Sequence, residues 1–226
     1  ELPEGEQPAP GCQGFLINNQ TLWGPDFLVH EIACPKYRDS AQSFFKCNND
    51  STEESLTVNR PWMQNLKDAG SLGELLGDLF CGVGLFSVAL ADLFTKVIAV
   101  DSDEGACRDA ENNIRHSEAA RDRVRVFPGR LAAILARPDL APPAAWNASC
   151  CLVDPPRAGL GKDGVKALLE IQPRHLLYMS CDPATLARDA AALVSGGYQM
   201  SKLQVLDMFP QTAHIESLLL LEKSAN

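Results

Sequence analysis

No two of the eight cysteines form a C-x-x-C pair; they fall irregularly at positions 12, 34, 47, 81, 107, 150, 151 and 181 of a 226-residue chain. A disulfide framework or a zinc site asks for ordered spacing, so reduced thiols and no bound metal are expected. There is no apolar run of bilayer length and no secretory leader, which argues against a membrane protein and points to the cytoplasm. The opening ELPEGEQPAP has no methionine, and a fragment of a longer protein is the expectation. An excess of positive charge is also missing: 20 Lys and Arg face 29 Asp and Glu, a net charge of −9. Strong non-specific nucleic-acid binding rests on neutralised phosphates, so any nucleic-acid substrate would need a local basic patch or another domain. The arginines in the stretch 115–137 are such a patch only in part, being interleaved with Glu118 and Asp122.

What is present is an ordinary globular composition, 46% hydrophobic and 22% charged, with length for one sizeable α/β domain and an appendage. Residues 1–70 carry Pro, Asn and Asp breakers; 13–17 and 27–32 suit strands, and 51–67 contains a short helix. This part reads as an N-terminal extension, and 71–226 as the catalytic domain. From 74 onward strand-like runs recur at 75–80, 96–100, 123–127, 150–153, 175–180, 202–207 and 216–222. Helix-like segments separate the early ones, at 84–93, 104–116, 129–136, 162–171 and 184–194. That alternation predicts an α/β, doubly wound, mostly parallel sheet. The last two runs have only a short Pro-containing link, so they pair as an antiparallel hairpin. Five βα units closed by such a hairpin make a Rossmann-like methyltransferase sheet of seven strands.

The stretch GDLFCGVGLFSVALA (77–91) reads as strand, glycine turn and helix. Gly82 and Gly84 allow a ligand close to the backbone. The third glycine of G-x-G-x-x-G is missing, Ser87 standing there, which disfavours a pyrophosphate. Asp78 precedes the loop. The next strand ends in Asp101, where a carboxylate can accept both ribose hydroxyls of an adenosyl group. It could equally cap the following helix, although Ser102 or Asp103 could do that instead.

At CCLVDPPRAGL (150–160) two prolines stiffen the exit of a strand and hold Asp154 at the sheet edge; a stiff turn with an Asp cap is the plainer reading. In LLYMSCDPATLARD (176–189) a strand hands over to a helix at Cys181. A thiolate there is favoured by the partial positive charge of the helix start, against the alternative of a small buried hydrophobe. In DMFPQTAHIESLLLLEK (207–223), Glu216 opens the last strand with an apolar wall behind it, a setting for a proton-holding base. An exposed charge is the alternative there, and a surface residue for His214.

With DLFCGVGLFSVALA, VDPPRAGL, YMSCDPATLARD and DMFPQTAHIE in order across 77–222, the chain resembles the RNA 5-methyluridine methyltransferases. SAQSFFKCN (40–48) is similar to the Ser-Phe-Phe-Gln-x-Asn segment ahead of that family's cofactor domain. The resemblance implies an S-adenosylmethionine-dependent enzyme that methylates C5 of a uridine in tRNA or rRNA. It assigns Cys181 as nucleophile and Glu216 as base, and it places Phe80, Asp101 and Asp154 at cofactor-contacting positions. Leu85 stands where several members have a contacting Asn, and Lys46 where they have Gln. Asp154 would orient the uracil edge or the cofactor. Family members usually carry an N-terminal RNA-binding barrel, and some an iron–sulfur cluster, for which this chain has neither length nor cysteine spacing. The resemblance implies an RNA partner, and a monomer is expected. Two other readings stay open: a methyltransferase of the same fold with another substrate, and a non-catalytic cofactor- or RNA-binding relative.

Overall fold

Short apolar runs that stop at Gly, Pro or Asp become the strands of one sheet in the computed structural model, which describes residues 15–17, 20–23, 27–32, 36–40, 49–147, 149–206 and 215–224. Ahead of that sheet, β1 (Phe15–Ile17) pairs with β2 (Gln20–Trp23), β3 (Phe27–Glu31) pairs with β4 (Lys36–Ser40), and α1 (Asn49–Asp68) follows. The alternating part runs β5 (Leu75–Leu79), α2 (Leu85–Ala89), a 3-10 turn at Ala91–Leu93, β6 (Lys96–Asp101) and α3 (Glu104–Arg115). It continues with β7 (Val124–Pro128), α4 (Leu131–Leu135), α5 (Pro143–Asn147), β8 (Cys150–Val153), α6 (Gly161–Ile171), β9 (His175–Ser180) and α7 (Pro183–Ser195). The hairpin β10 (Tyr198–Leu206) and β11 (Glu216–Lys223) closes it.

The strand order is β10-β11-β9-β8-β5-β6-β7. Pairs among β5 to β9 are parallel, and β11 runs antiparallel to both β9 and β10. This is the doubly wound, seven-stranded α/β sheet with an antiparallel terminal hairpin that the alternation predicts. The reversal at β11 matters for function. The carboxyl ends of β5, β6, β8 and β9 and the amino end of β11 share one edge.

Strand pleating divides the core in two. Leu76, Leu152, Leu177, Met179, Leu218 and Leu220 face one layer, which includes Phe86, Leu90 and Ile114. Leu75, Leu79, Ile98, Val153, Tyr178 and Leu219 face the other, with Leu168 and Leu193. Central strands buried on both faces are why β8 reads as a continuous apolar run rather than an alternating one, and β5 does so apart from Gly77 and Asp78.

The upstream elements depart most from expectation. The helix expected within 51–67 extends to 20 residues, with Pro61 inside it, and β2 and β4 accompany the two strands the sequence suggested. Across residue 70 the packing is continuous: Ile32, Tyr37, Leu56 and Met63 belong to the same apolar layer as Leu76 and Phe86. The Arg60 guanidinium donates to the Ala89 carbonyl at 2.7 Å and pairs with Asp92, and Lys67 donates to the Leu93 carbonyl at 3.0 Å. Strand β10 starts four residues earlier than the apolar run implied, because Tyr198 is buried and its hydroxyl donates to the Pro173 carbonyl at 2.7 Å. Helix α5 carries Trp146 into the second core layer, and its five residues are too few for a readable period. Lys46 and His214 lie outside the described residues.

Met63 is 1% exposed, so Met63→Ala is expected to cost about 2–5 kcal/mol. A single cooperative denaturant transition, shifted for the whole chain, would show α1 folding with the sheet; a separate early transition would show the opposite.

Candidate active site

Strand β5 ends in a sharp turn. Phe80 takes a left-handed conformation, φ 67°, uncommon outside glycine and a mark of local strain. The turn is held because the N–H groups of Phe80 and Cys81 both donate to the Val100 carbonyl of β6, at 2.8 and 3.0 Å. The Gly82 N–H then donates to Asp101 Oδ2 at 2.8 Å. Gly84 sits at φ 83°, and a Cβ there would lie 3.2 Å from the Ala110 Cβ on α3. Conformation and closeness together call for glycine at this position.

Asp101 serves the loop rather than the helix. Its Oδ1 accepts from the Asp103 N–H at 2.9 Å, while Asp103 caps α3 by accepting from the Ala106 N–H at 2.8 Å. Both carboxylate oxygens are thereby aimed, and each keeps acceptor capacity for a second donor. Beside Asp101 opens a cleft of about 500 Å³ lined by Phe80, Ser102, Gly129, Arg130, Leu160 and Asp163, among others. The sequence had indicated Phe80 and Asp101 but not the contributions that follow β7 and begin α6. Those residues carry no motif; the topology alone brings them there.

Asp78 lies beneath the loop, fully buried, with Oδ2 accepting from the Ser87 hydroxyl and Oδ1 without a hydrogen-bond partner in the protein. Burial pushes its carboxyl up to about 7, opposed by the Ser87 hydrogen bonds and reinforced by the nearby Asp154 and Asp101 charges. Three carboxylates therefore converge on one stretch of the edge, a setting that favours a cationic ligand.

The other half of the edge carries the nucleophile candidate. The Asp154 N–H donates to the Leu79 carbonyl at 3.3 Å, which ties the exit of β8 to that of β5. The β11–β9 register pairs Ser217 with Ser180, so Glu216 and Cys181 each stand one position beyond that pair on neighbouring strands. Glu216 is 4% exposed. Of the five described cysteines, only Cys181 is not buried. Burial pushes the thiols of Cys107 and Cys151 up to about 11 and 12 and raises those of Cys81 and Cys150, keeping all four protonated and unreactive. After Cys181, Asp182 caps α7 by accepting from the Ala184 and Thr185 N–H groups at 2.9 and 3.0 Å, and Pro183 occupies the first turn. Those hydrogen bonds, Thr185 first, hold the Asp182 carboxyl below the usual range.

Helix α7 also grips the loop that follows Asp154. Asp189 Oδ2 accepts from the Leu160 N–H at 2.7 Å and the Tyr178 hydroxyl at 2.8 Å. Arg188 donates to Asp189 Oδ1 and to the Ala158 carbonyl, each at 2.8 Å, and the Thr185 hydroxyl donates to the Arg157 carbonyl at 3.0 Å. A Cβ on Gly159 would come within 2.5 Å of Asp189 Oδ2. The sequence reading missed this clamp. Its trace was a charged residue on the apolar stripe of α7, Asp189 between the buried Leu186, Ala190 and Leu193.

The structure thus gathers Asp78, Phe80, Gly82, Gly84, Asp101, Asp154, Cys181 and Glu216 along one sheet edge. It does not bring the Leu85 side chain to the cleft: Leu85 is buried in the apolar layer with Phe86. Among the described residues there is no His, Cys, Asp and Glu group that could hold a metal, and no helix long and apolar enough to cross a membrane.

Sheet order and glycine turn define a Rossmann-like α/β fold with an antiparallel terminal hairpin. A family model described as tRNA (uracil-5-)-methyltransferase matches residues 31–224. An uncharacterized RNA methyltransferase of Thermosynechococcus vestitus is 37% identical over 215 residues, 95% of this chain and 45% of its own length. One from Enterococcus faecalis is 36% identical over 224 residues, 96% of this chain and 46% of its own. The tRNA (uracil-54, C5)-methyltransferase of Pyrococcus abyssi, solved with S-adenosyl-L-homocysteine, superposes with a TM-score of 0.68 at 28% identity, covering 88% of this chain and 45% of that one. The chain belongs to the tRNA (uracil-5-)-methyltransferase family. It spans about half the length of the curated relatives it matches.

The raised Asp78 carboxyl gives stability a definite pH dependence. The folded chain holds this proton up to about pH 7 while an unfolded Asp releases it near 3.8. Asp78 therefore withdraws stability as pH rises between those values, with no further loss above them. Asp78→Asn is expected to gain on the parent in melting temperature from pH 4 to 7, with a constant difference above. A difference flat across the whole range in scanning calorimetry would refute the buried-acid assignment.

Proposed function

We propose that this chain transfers a methyl group from S-adenosylmethionine to C5 of a uridine in tRNA or rRNA, with Cys181 as nucleophile and Glu216 as base. The observation that carries the reading is the register at the sheet edge: the single accessible described cysteine stands one step past the Ser180–Ser217 pair, with a buried carboxylate as its counterpart on β11.

The residues present suit the cofactor. Asp101 offers two oriented oxygens for vicinal ribose hydroxyls, and the adjoining cleft is of nucleoside size. Asp78 Oδ1 is a buried polar atom without a protein hydrogen-bond partner, and Asp101 and Asp154 beside it supply negative potential for a ligand bearing a sulfonium and an ammonium. When bound, S-adenosylmethionine supplies an electrophilic methyl group.

The protein's own task is to make C5 of uracil nucleophilic. Addition of the Cys181 thiolate to C6 converts the C5–C6 double bond into an enolate whose electron pair is available at C5. After C5 is methylated, its remaining hydrogen leaves as a proton to Glu216; the electrons re-form the double bond and expel the thiolate. Asp154, on the strand between β5 and β9, is placed to hold the uracil edge or the cofactor. A base within folded RNA must be splayed out to reach this edge.

RNA carrying 5-fluorouridine at the target has no C5 proton to remove, so it is expected to form a stable covalent complex with the parent chain and S-adenosylmethionine. Cys181→Ala should form none. Glu216→Gln should accumulate a covalent complex on ordinary RNA while turnover falls by about a hundredfold or more, the usual reach of a general base. Gel shifts under denaturing conditions and mass spectrometry read both outcomes. Absence of any adduct with the fluorinated RNA, or an adduct that survives Cys181→Ala, would sink the assignment.

A further inference from the structure

Asn113 stands on the buried face of α3 with both amide hydrogens and the amide oxygen engaged. Its Oδ1 accepts from the Arg38 N–H at 2.7 Å and its Nδ2 donates to the Arg38 carbonyl at 2.9 Å. The side chain thus pairs with Arg38 of β4 as the peptide group of a neighbouring strand would. The second Nδ2 hydrogen goes to the Val83 carbonyl, also at 2.9 Å, inside the glycine loop. One turn earlier, Asp109 accepts from Arg38 Nε at 3.1 Å, from the Ser40 N–H at 2.8 Å and from the Ser40 hydroxyl. Tyr37, fully buried on the same strand, donates its hydroxyl to the Leu85 carbonyl at 3.3 Å. The hairpin therefore reaches both sides of Gly84, directly through Tyr37 and by way of Asn113, and a Cβ on Gly84 would lie 3.2 Å from the Ala110 Cβ of the same helix as Asn113.

We propose that Asn113 and Tyr37 are positioning residues through which the β3–β4 hairpin sets the glycine loop, making cofactor affinity depend on a segment outside the main sheet. This rests on the reading of the loop at 82–84 as the S-adenosylmethionine site. Two features separate it from simple packing. The bonds end on the carbonyls of Val83, in the loop, and Leu85, the first residue of α2, one on either side of the glycine that turns the chain. A buried amide also fixes direction in a way an apolar contact does not, since each of its three bonds has a preferred geometry. Without them the loop keeps Gly82 on Asp101 and Gly84 on the Cys81 carbonyl but loses the side-chain hydrogen bonds that orient the Val83 and Leu85 carbonyls.

Calorimetric titration of the 226-residue chain with S-adenosylhomocysteine, well below each variant's melting temperature, tests the idea. Tyr37→Phe keeps the ring and removes one hydrogen bond; Asn113→Ala removes the bridge. The dissociation constant is expected to rise roughly threefold for Tyr37→Phe and about tenfold for Asn113→Ala, the scale of one buried hydrogen bond. Met63→Ala is the control that lowers stability while leaving affinity unchanged. In turnover the clamp variants should raise KM for S-adenosylmethionine more than they lower kcat. Clamp variants that bind within twofold of the parent while melting earlier would reduce Asn113 and Tyr37 to packing residues. A parent chain that fails to bind the ligand would overturn the cofactor reading itself and this proposal with it, a different result from bound parent and unaffected variants. Should Asn113→Ala fail to fold, Tyr37→Phe decides the matter alone.

Discussion

Everything at the functional edge depends on how β5 leaves the sheet. A parallel strand can simply continue into its helix, but here the chain turns at Phe80 in a left-handed conformation and folds back over the end of β6. Val100 and Asp101 make this possible. The Val100 carbonyl takes two N–H groups, and the Asp101 carboxylate takes a third from Gly82, so the strained turn has its polar groups satisfied. The same turn opens the cleft beside Asp101 and puts Asp78 under the loop. Strain at Phe80 is thus the local cost of a site into which a ligand can come close to the backbone.

From that turn outward, the edge is arranged by strand parity. Asp78 shares the pleat of Leu76, Asp154 continues that of Leu152, Cys181 that of Met179, and Glu216 that of Leu218, all on one face of the sheet. The antiparallel entry of β11 is what admits Glu216, since a parallel strand in its place would present a carboxyl end instead. Negative charge accumulates as a result, and burial, with those charges adding to it, makes Asp78 hold its proton. Burial also sorts the thiols. Four described cysteines are sealed in the sheet, its loop and α3, leaving one accessible at the strand end. Asp189 then ties the loop after Asp154 to the helix that begins beside Cys181.

Much of this was legible in the chain because period and punctuation act locally. Runs of Leu, Val and Ile ended by Asp or Gly gave strands within a few residues of their observed limits, and Pro183 with Asp182 announced the start of α7. The gathering of Asp101, Asp154, Cys181 and Glu216 followed from topology once the hairpin was inferred. What escaped were polar residues doing long-range work. Asp109 and Asn113 sit one turn apart on the apolar stripe of α3, and Asp189 sits on that of α7; a period count registers them only as blemishes. Such residues are exceptions that ask where their hydrogen bonds go, and the answer lies 71 or 75 positions away in sequence. Leu85, which stands where several family members have a contacting Asn, packs its side chain into the core.

The upstream part gains a different meaning from this. Apolar burial of Ile32, Tyr37, Leu56 and Met63 already suffices to hold it on the sheet. The polar clamp at Asp109 and Asn113 adds direction rather than adhesion, since a carboxylate and an amide buried on a helix stabilise one register of the hairpin and penalise others through lost hydrogen bonds. A net charge of −9 leaves this chain poorly suited to gripping phosphates by itself. The exposed Arg121 and Arg137 are each paired with a neighbouring Asp, which blunts them further. The segment before the sheet and the Gly84 turn are joined by directional hydrogen bonds, through Tyr37 to the Leu85 carbonyl and through Asn113 to the Val83 carbonyl. Each of those bonds fixes an angle as well as a distance, so the hairpin sets the orientation of the turn and not only its closeness.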